Sequence, residues 1–431
     1  MTSGTTKPPE LLVRTVTFAT IPEREETGGV DLAVTTSQRR ALLVIAISQL
    51  LVLTLWFSAS AVTIQLQHVW ALSTSEVAWL TLAVQLGFVV GAFSLAIFNT
   101  SDVLPTRSLF AISGAIGVLA NAALVLVSTP GPAIGLRFVT GAALAGVYPS
   151  GLKAMAGWFE QGRGKALGVL VGALTIGSAT PHLIRGLGFD WRGVVLGASV
   201  LAAIGTAFMR WLVQDGPFEA PTARFSWGHI GRIVRNQGYR LSTIGYLGHM
   251  WELYAMWTWV ALFIAGSADV SNGSYGSVPV ITFAVIAIGG PAAWLAGRLS
   301  DRYGRTRVAG AAMAISGSCA LLTPLVFGAS PIVVIPLLLV WGATVVADSA
   351  EFSTMVTETT PAEIRGTSLT LQTALGFSLT LITIRIVPEF AAAHSWRWAF
   401  PMLTLGPAIG VVAMIRLKRS AAGAQLAGGL G

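Results

Sequence analysis

Two titratable residues lie inside one long apolar run, near residues 241–265. Glu252 is close to the middle of this run, and His249 precedes it by three residues, which puts both on one face of a helix. A charged side chain at the centre of a bilayer costs about 2.5–3.5 kcal/mol or more, so it needs a partner, a water-filled cavity or a function. A carboxyl group there can exchange a proton, and an imidazole can relay it. We expect Glu252 and His249 to hold a proton or contact a solute; the alternative is an ion pair, with each other or with an arginine, that only fixes helix packing.

Other basic side chains also fall within apolar runs. Arg137 lies in the fourth run, His182 and Arg185 lie at the end of the fifth, and Arg385 lies in the eleventh. An arginine close to the end of a span commonly extends to the membrane interface, where its charge stays hydrated. His182, Arg185 and Arg385 would also make an attractive entrance for an anion. Both interpretations are open.

Aromatic residues crowd the apolar run that holds Glu252. Trp251 directly precedes Glu252, and Tyr254 follows it by two residues. Some of these rings are candidates to line a solute cavity. The others are expected in the interfacial belt, which is the commoner position of Trp in membrane helices.

A charged loop separates two later apolar runs. It contains Gly297, Asp301, Arg302, Gly304 and Arg305 in the spacing Gly-x-x-x-Asp-Arg-x-Gly-Arg. The second glycine permits a tight reversal, the aspartate can accept from amide groups at a neighbouring helix N-terminus, and the arginines can pair with acids at nearby helix ends. Such a cluster would hold helix ends together in one conformational state. An ordinary basic loop is the alternative.

Two acids form a pair on the tenth apolar run. Asp348 and Glu351 are three residues apart and close to the end of that run. We expect them to have a structural role as partners of Arg302 or Arg305 in the charged loop.

The charged loop resembles the signature loop of the major facilitator superfamily, which follows the second and eighth helices of that family. The first-half counterpart keeps Asp102 and Arg107 but lacks the arginine next to the aspartate and the turn glycine. A second repeated pair places Arg-Gly at the start of a helix, at Arg163 and Arg365. The two offsets, 199 and 202 residues, indicate parallel repeats of nearly equal length.

The resemblance to a bacterial-type member of this superfamily covers residues 41–416. It implies an all-α integral membrane fold with twelve transmembrane helices in two six-helix bundles, and a solute site at the midplane between them. It also implies a gating role for the loop residues. Arg137 and Gly141 are similar to the family's fourth-helix motif, whose arginine is implicated in proton transfer, although Thr140 stands where glutamine is common.

The composition independently requires a membrane. Of the 431 residues, 54% are hydrophobic and 11% are charged, which is more apolar surface than one water-soluble core can bury. At about 20 residues for each crossing, the chain has room for about twelve. The predicted spans lie near 41–66, 75–98, 107–128, 133–156, 163–185, 191–213, 241–265, 278–298, 306–328, 331–356, 366–388 and 397–416.

The distribution of basic residues predicts the orientation in the membrane. With a cytoplasmic N-terminus, all but five of the 27 Lys and Arg residues fall on the cytoplasmic side; the five are Arg137, Arg185, Arg192, Arg385 and Arg397. Basic loops resist translocation, so this asymmetry supports an even number of helices and cytoplasmic termini in a cell (inner) membrane. The predicted divisions are a cytoplasmic tail at 1–40, a first bundle at 41–213, a cytoplasmic linker at 214–240, a second bundle at 241–416 and a cytoplasmic tail at 417–431.

The sequence also argues against other classes of function. It contains no nucleophile elbow, no zinc-protease motif and no P-loop, so an enzyme is not expected. The basic residues do not form a soluble, aromatic-interleaved face, so no nucleic-acid partner is expected despite the net charge of +8. With Cys319 as the single cysteine, a disulfide or a cysteine-ligated metal site within the chain is excluded, and no cofactor or metal is expected.

The resemblance implies a secondary transporter that works by alternating access, and the position of Glu252 predicts that it is coupled to protons through this residue. Its partners would be a small-molecule substrate, protons and the lipid bilayer, with the monomer as the functional unit. Basic residues in one half and acids in the other suggest a small anion or zwitterion as substrate. The alternatives are an uncoupled facilitator or a drug exporter on the same fold, and a non-transporting membrane sensor.

Overall fold

The computed structural model describes residues 1–2, 35–98, 100–159, 163–218, 226–271 and 275–431. Within these ranges the side chains of residues 101, 102, 163 and 164 are not described. Most of the predicted tail at 1–40, and the side chain of Asp102, therefore lie outside the described residues. Every regular element of the described chain is a helix, and the described residues contain no strand.

The helices of the first half begin after Thr35, whose side chain caps α1 by accepting from the Gln38 amide. They are α1 (Thr36–Leu53), α2 (Thr63–Trp70), α3 (Thr74–Ile97), α4 (Thr100–Val103), α5 (Thr106–Ala122), α6 (Pro130–Trp158), α7 (Arg163–Gly186) and α8 (Trp191–Trp211).

The helices of the second half include a short one, α9, inside the predicted linker. They are α9 (Ile230–Arg235), α10 (Gln237–Ser271), α11 (Val278–Ala287), α12 (Gly289–Tyr303), α13 (Arg305–Val326), α14 (Pro331–Ala347), α15 (Ser349–Thr359), α16 (Ala362–His394) and α17 (Leu405–Lys418). Three predicted spans are built from two helices in sequence: α1 with α2, α11 with α12, and α14 with α15.

Eleven helical segments of the described chain are long and apolar enough to cross a membrane. The 29-residue helix α6, which carries Arg137 and Lys153, is not one of them. At about 1.5 Å per residue it is still about 43 Å long, which exceeds the thickness of a bilayer core. The prediction of twelve crossings depends on counting α6 as the twelfth.

The two halves meet along two pairs of helices. The helix α3 packs against α16, and α7 packs against α11 and α12. A Cβ added at Gly172 of α7 would lie 3.3 Å from the Gly290 carbonyl oxygen of α12, and one at Gly290 would lie 3.2 Å from the Gly172 carbonyl oxygen. Small residues on both sides thus let the two backbones approach closely, as they do in other membrane helix pairs.

The bundle has two ends that differ in chemistry. The charged loop lies between α12 and α13, and we call this side the motif end. The opposite side, where α7 ends and α11 begins, is the far end; a Cβ at Gly186 would lie 2.6 Å from the Val280 side chain there. The predicted orientation would place the motif end in the cytoplasm.

Candidate functional site

Glu252 lies near the middle of α10 and is 1% exposed. Its Oε1 accepts a hydrogen bond from Trp341 Nε1 of α14 at 2.7 Å, and its Oε2 accepts one from the Ser316 hydroxyl of α13 at 2.8 Å. Both donors are neutral. The ion pair considered as an alternative for Glu252 is absent among the described residues, so this carboxyl group is held by hydrogen bonds alone.

His249 has a different partner from the one expected. Its Nδ1 lies 2.8 Å from Oδ1 of Asp348, and both side chains are buried. The imidazole also packs against the rings of Tyr246 and Phe352. His249 is therefore one turn from Glu252 along α10 but forms its polar contact with the tenth span.

The predicted pairing of Asp348 with the charged loop is wrong. The tenth span breaks at this residue, since α14 ends at Ala347 and α15 begins at Ser349. At this break Asp348 contacts His249 of α10, while Glu351, three residues later, contacts Arg305 at the motif end. Two acids that would share a face on an unbroken helix are thereby separated between two clusters.

Arg305 is the centre of the cluster at the motif end. Its Nη1 lies 2.8 Å from Asp301 Oδ1 and 3.4 Å from Glu351 Oε2, and its Nη2 lies 3.1 Å from Glu358 Oε1. Ser300 donates a hydrogen bond to Glu351 at 2.8 Å. The expected contact between the loop and Glu351 is thus present, and it joins α13 to α15.

The other residues of the charged loop form fewer contacts than Arg305 does. The Asp301 side chain is 55% exposed and bonds Arg305 four residues later, in place of the helix N-terminus that was expected. Arg302 is exposed, with its guanidinium 5.3 Å from the Tyr303 ring centre. Nothing lies within 4 Å of a Cβ built at Gly297.

Gly304 makes the tight reversal that its position predicted. Its φ is +98°, a left-handed value that side chains disfavour, and it separates α12 from α13. A Cβ there would lie 2.6 Å from the carbonyl oxygens of Leu430 and Gly431, because the C-terminal segment folds over this turn. The Thr306 amide donates to the Gly431 carbonyl at 3.2 Å, so this segment satisfies part of the α13 N-terminus.

The first-half copy of the loop is built differently. Arg107 forms a bidentate ion pair with Asp215, with N–O distances of 2.8 and 2.9 Å, and also donates to the Val213 carbonyl. This pair ties the start of α5 to the segment after α8. The arginine of the first-half copy is therefore engaged within its own half.

Arg137 is fully buried and does not extend to the interface. It donates to the backbone carbonyls of Leu55, Trp56 and Leu80, to the Ser58 hydroxyl and to Asn121 Oδ1. The first span leaves the α-helix between residues 54 and 62, and the Leu55 and Trp56 carbonyls that Arg137 binds lie at this break. Within the described chain no acid pairs with it, so the geometry supports a structural role for the guanidinium.

A layer of aromatic rings joins the two halves near the middle of the spans. Trp56 and Phe88 of the first half contact Tyr254 and Phe377 of the second, with ring centres 4.4 to 5.8 Å apart. Tyr254 therefore lies between the halves near the middle of the spans, where a residue that lines a solute cavity is expected. Trp251 is not, because its indole donates to the Met402 carbonyl and so lies against the last span.

A cavity of about 200 Å³ lies between the halves on the far side of this layer. His182 and Arg185 of α7 line it together with residues 60–65, and Thr258 and Leu262 of α10 line the opposite wall. Arg385, the third basic residue predicted there, is elsewhere and forms an ion pair with Glu389 at 2.8 Å.

Sequence reasoning missed several partners of these side chains, among them Ser316 and Trp341, which bind Glu252, and Glu358, which binds Arg305. The indole of Trp341 carried a usable signal, since a buried Trp N–H needs an acceptor and Glu252 is a buried acceptor. Ser316 and Glu358 carried none, because serines are common in membrane helices and Glu358 is at the end of a span.

Comparison with known proteins supports this reading of the fold. The family model described as the Major Facilitator Superfamily matches residues 45–382. Among solved structures, the chain is similar to a crystal structure of a point mutant of the nucleoside transporter NupG, with a TM-score of 0.64 and 15% identity over 88% of this chain and 99% of that one. At this identity the likeness concerns the fold alone. No curated protein matches the chain significantly. Because the family model spans well over half of the sequence, the chain belongs to the Major Facilitator Superfamily and is a multi-pass membrane transporter.

Proposed function

We propose that this transporter moves a small solute by alternating access and couples the movement to protons through Glu252. The observation that carries the proposal is the position of this carboxyl group. It is buried near the middle of α10, and neutral donors from α13 and α14 hold its two oxygens. A carboxyl group without a cationic partner at this depth is a functional residue by default.

The two hydrogen bonds determine where a proton would go. The indole N–H of Trp341 can only donate, so it requires Oε1 to remain an acceptor. The Ser316 hydroxyl can reverse and accept, so Oε2 is the oxygen that can be protonated without an unsatisfied donor. Protonation thus changes the contact between α10 and α13 and keeps the contact between α10 and α14.

A second polar pair lies between Glu252 and the motif end. His249 lies one turn before Glu252 and contacts Asp348, and Glu351 follows Asp348 by three residues and contacts Arg305. The helix break at Asp348 lies between the two clusters. We assign this series the task of linking protonation in the membrane to the position of the helix ends around the charged loop.

The experiment uses the purified transporter in proteoliposomes with a panel of labelled solutes: monocarboxylates, amino acids, inorganic phosphate and uridine. For the solute that is transported, Glu252→Gln is expected to abolish accumulation driven by a pH gradient and to retain counterflow exchange, because glutamine keeps size and hydrogen bonding but cannot titrate. Glu363→Gln is the control, since this acid is exposed in the first turn of α16.

The outcomes separate the competing functions. Loss of accumulation with retained exchange supports proton coupling through Glu252. Wild-type accumulation in the variant contradicts it, and downhill transport that never responds to pH in either protein identifies an uncoupled facilitator. Absence of transport for every solute in the panel, and for a lipophilic cationic drug tested in the same way, would favour a sensor. Cytoplasmic termini, an inner-membrane location and a functional monomer remain parts of the proposal, and the first rests on the asymmetry of basic residues.

A further inference from the structure

The far-end cavity contains an uncompensated positive charge. Arg185 is the only charged residue in the lining of this cavity within the described chain. Its Nη1 donates to the Phe189 carbonyl at 3.1 Å, and the described residues provide no hydrogen bond for its other two nitrogens. An arginine beside an interfacial cavity without an acid attracts an anion.

Comparison of the two repeats shows that the arginine without an acidic partner belongs to the first half. Arg385 lies 200 residues after Arg185, which matches the offset between the two halves. Glu389, one turn beyond Arg385, neutralises it at 2.8 Å. The position equivalent to Glu389 in the first half is Phe189. The two repeat-related arginines thus differ in their pairing: Glu389 pairs with Arg385, whereas Asp190, the acid that follows Phe189, accepts from the Gly193 amide at the start of α8, and the described residues show no ion pair for Arg185.

A second observation also points to a ligand. His182, one turn before Arg185, lines the same cavity and is 1% exposed, and its Nε2 has no hydrogen-bond partner in the described part of the chain. Buried polar groups of this kind normally find a partner, and a solute in the cavity would supply one.

The remaining lining restricts the chemistry of the ligand. Much of the wall is apolar, including Leu262, Val278 and Pro279. The hydroxyl of Thr258 donates to the Tyr254 carbonyl, so it presents only lone pairs to the cavity. One cation among apolar groups fits a single negative charge on an apolar body and would leave a dianion poorly compensated. The volume of about 200 Å³ suits a small solute.

We infer that the far-end cavity binds a small organic monocarboxylate, with its carboxylate at Arg185 and His182 and its apolar body against the α10 and α11 wall. The site is separated from Glu252 by the aromatic layer that contains Trp56 and Tyr254. A solute bound there would lie on the far-end side of this layer. The inference rests on the proposed function, because it takes the cavity to be on the path of the transported solute.

The test measures equilibrium binding of radiolabelled benzoate to the full-length transporter in lipid nanodiscs. Wild type is expected to bind benzoate, and benzamide, which has the same shape without the charge, is expected not to compete. Arg185→Gln should weaken binding at least tenfold, and Arg185→Lys should restore most of it because the charge returns. Arg385→Gln is the matched control and should bind as wild type does.

Several results would overturn the assignment. They are wild-type protein that fails to bind benzoate, equal losses in Arg185→Gln and Arg385→Gln, and effective competition by benzamide. Competition by inorganic phosphate at the same concentration as benzoate would contradict the monocarboxylate class. Glu252→Gln should leave benzoate binding intact. If Arg185 proves necessary for binding while Glu252 is dispensable for pH-driven transport, only the proposed coupling fails; the reverse result refutes only the cavity assignment.

Discussion

Substitution of Arg137 by lysine should strongly destabilise the transporter, although the charge is kept. The guanidinium uses three nitrogens to reach five oxygens on the broken first span, α3 and α5. A lysine ammonium has three donors on one atom, so at least two of these hydrogen bonds are lost. Hydrogen bonds of a charged group contribute about 1.5–3 kcal/mol each, which gives an expected loss of about 3–6 kcal/mol in the free energy of unfolding.

The assay is equilibrium unfolding of the purified protein, by SDS titration or by steric trapping in bicelles. Arg192→Lys is the control, because Arg192 is exposed at the far end with its guanidinium 5.0 Å from the Trp191 ring centre. That variant should change stability by less than about 0.5 kcal/mol. If Arg137→Lys is as stable as the control, the guanidinium does not hold the helix break together, and a direct role in proton transfer becomes the better account.

Three further predictions concern the charged loop and the contact between the halves. Gly304→Ala should cost about 1–3 kcal/mol in stability because of its positive φ and the nearby carbonyls, whereas Gly297→Ala should be neutral; thermal unfolding of the two variants decides this. Glu351→Gln should slow transport at least tenfold and Asp301→Asn less, since the first acid is buried and the second is exposed; equal rates would contradict the assignment. Gly290→Leu should fold yet lose most counterflow, because the larger side chain separates α12 from α7, and unchanged counterflow would show that this contact is not needed.

The helices and the loop turn were predictable from the sequence because their causes are local. Long apolar runs determine where a chain can cross a bilayer, and the predicted spans agree with the helices to within a few residues at most ends. The turn at Gly304 requires a residue that tolerates a positive φ, and the glycine at this one position is enough to predict the turn. The approach of Glu351 to Arg305 also followed, because both lie at the motif end.

The partners of the buried polar groups could not be predicted in the same way. The contact of His249 with Asp348 lies where the tenth span is interrupted between α14 and α15, and the packing of α10 against this point cannot be deduced from either segment alone. Arg137 likewise binds carbonyls at a second break, in the first span. Both depend on tertiary packing between segments far apart in sequence, and periodicity within one segment carries no information on it.

The comparison of the two repeat copies shows what the sequence does contain. Arg185 and Arg385 could be paired by their offset alone, and the acid four residues after the second is visible in the sequence. Their different surroundings required the structure, since only the first lines the cavity between the halves. The sequence shows that only Arg385 has an acid four residues later, and the structure shows that Arg185, which lacks one, is the arginine that lines the cavity.

The most direct test of the central claim is the reversal point of solute flux in proteoliposomes. In a proton-coupled transporter, net flux of the identified solute stops at a solute ratio that shifts with the imposed pH gradient. With the membrane potential held at zero by valinomycin and equal K⁺ concentrations, wild type is predicted to show this shift, and Glu252→Gln is predicted to reverse only at equal solute concentrations on the two sides. A reversal point in Glu252→Gln that still moves with the pH gradient as in wild type would show that Glu252 does not couple protons to transport.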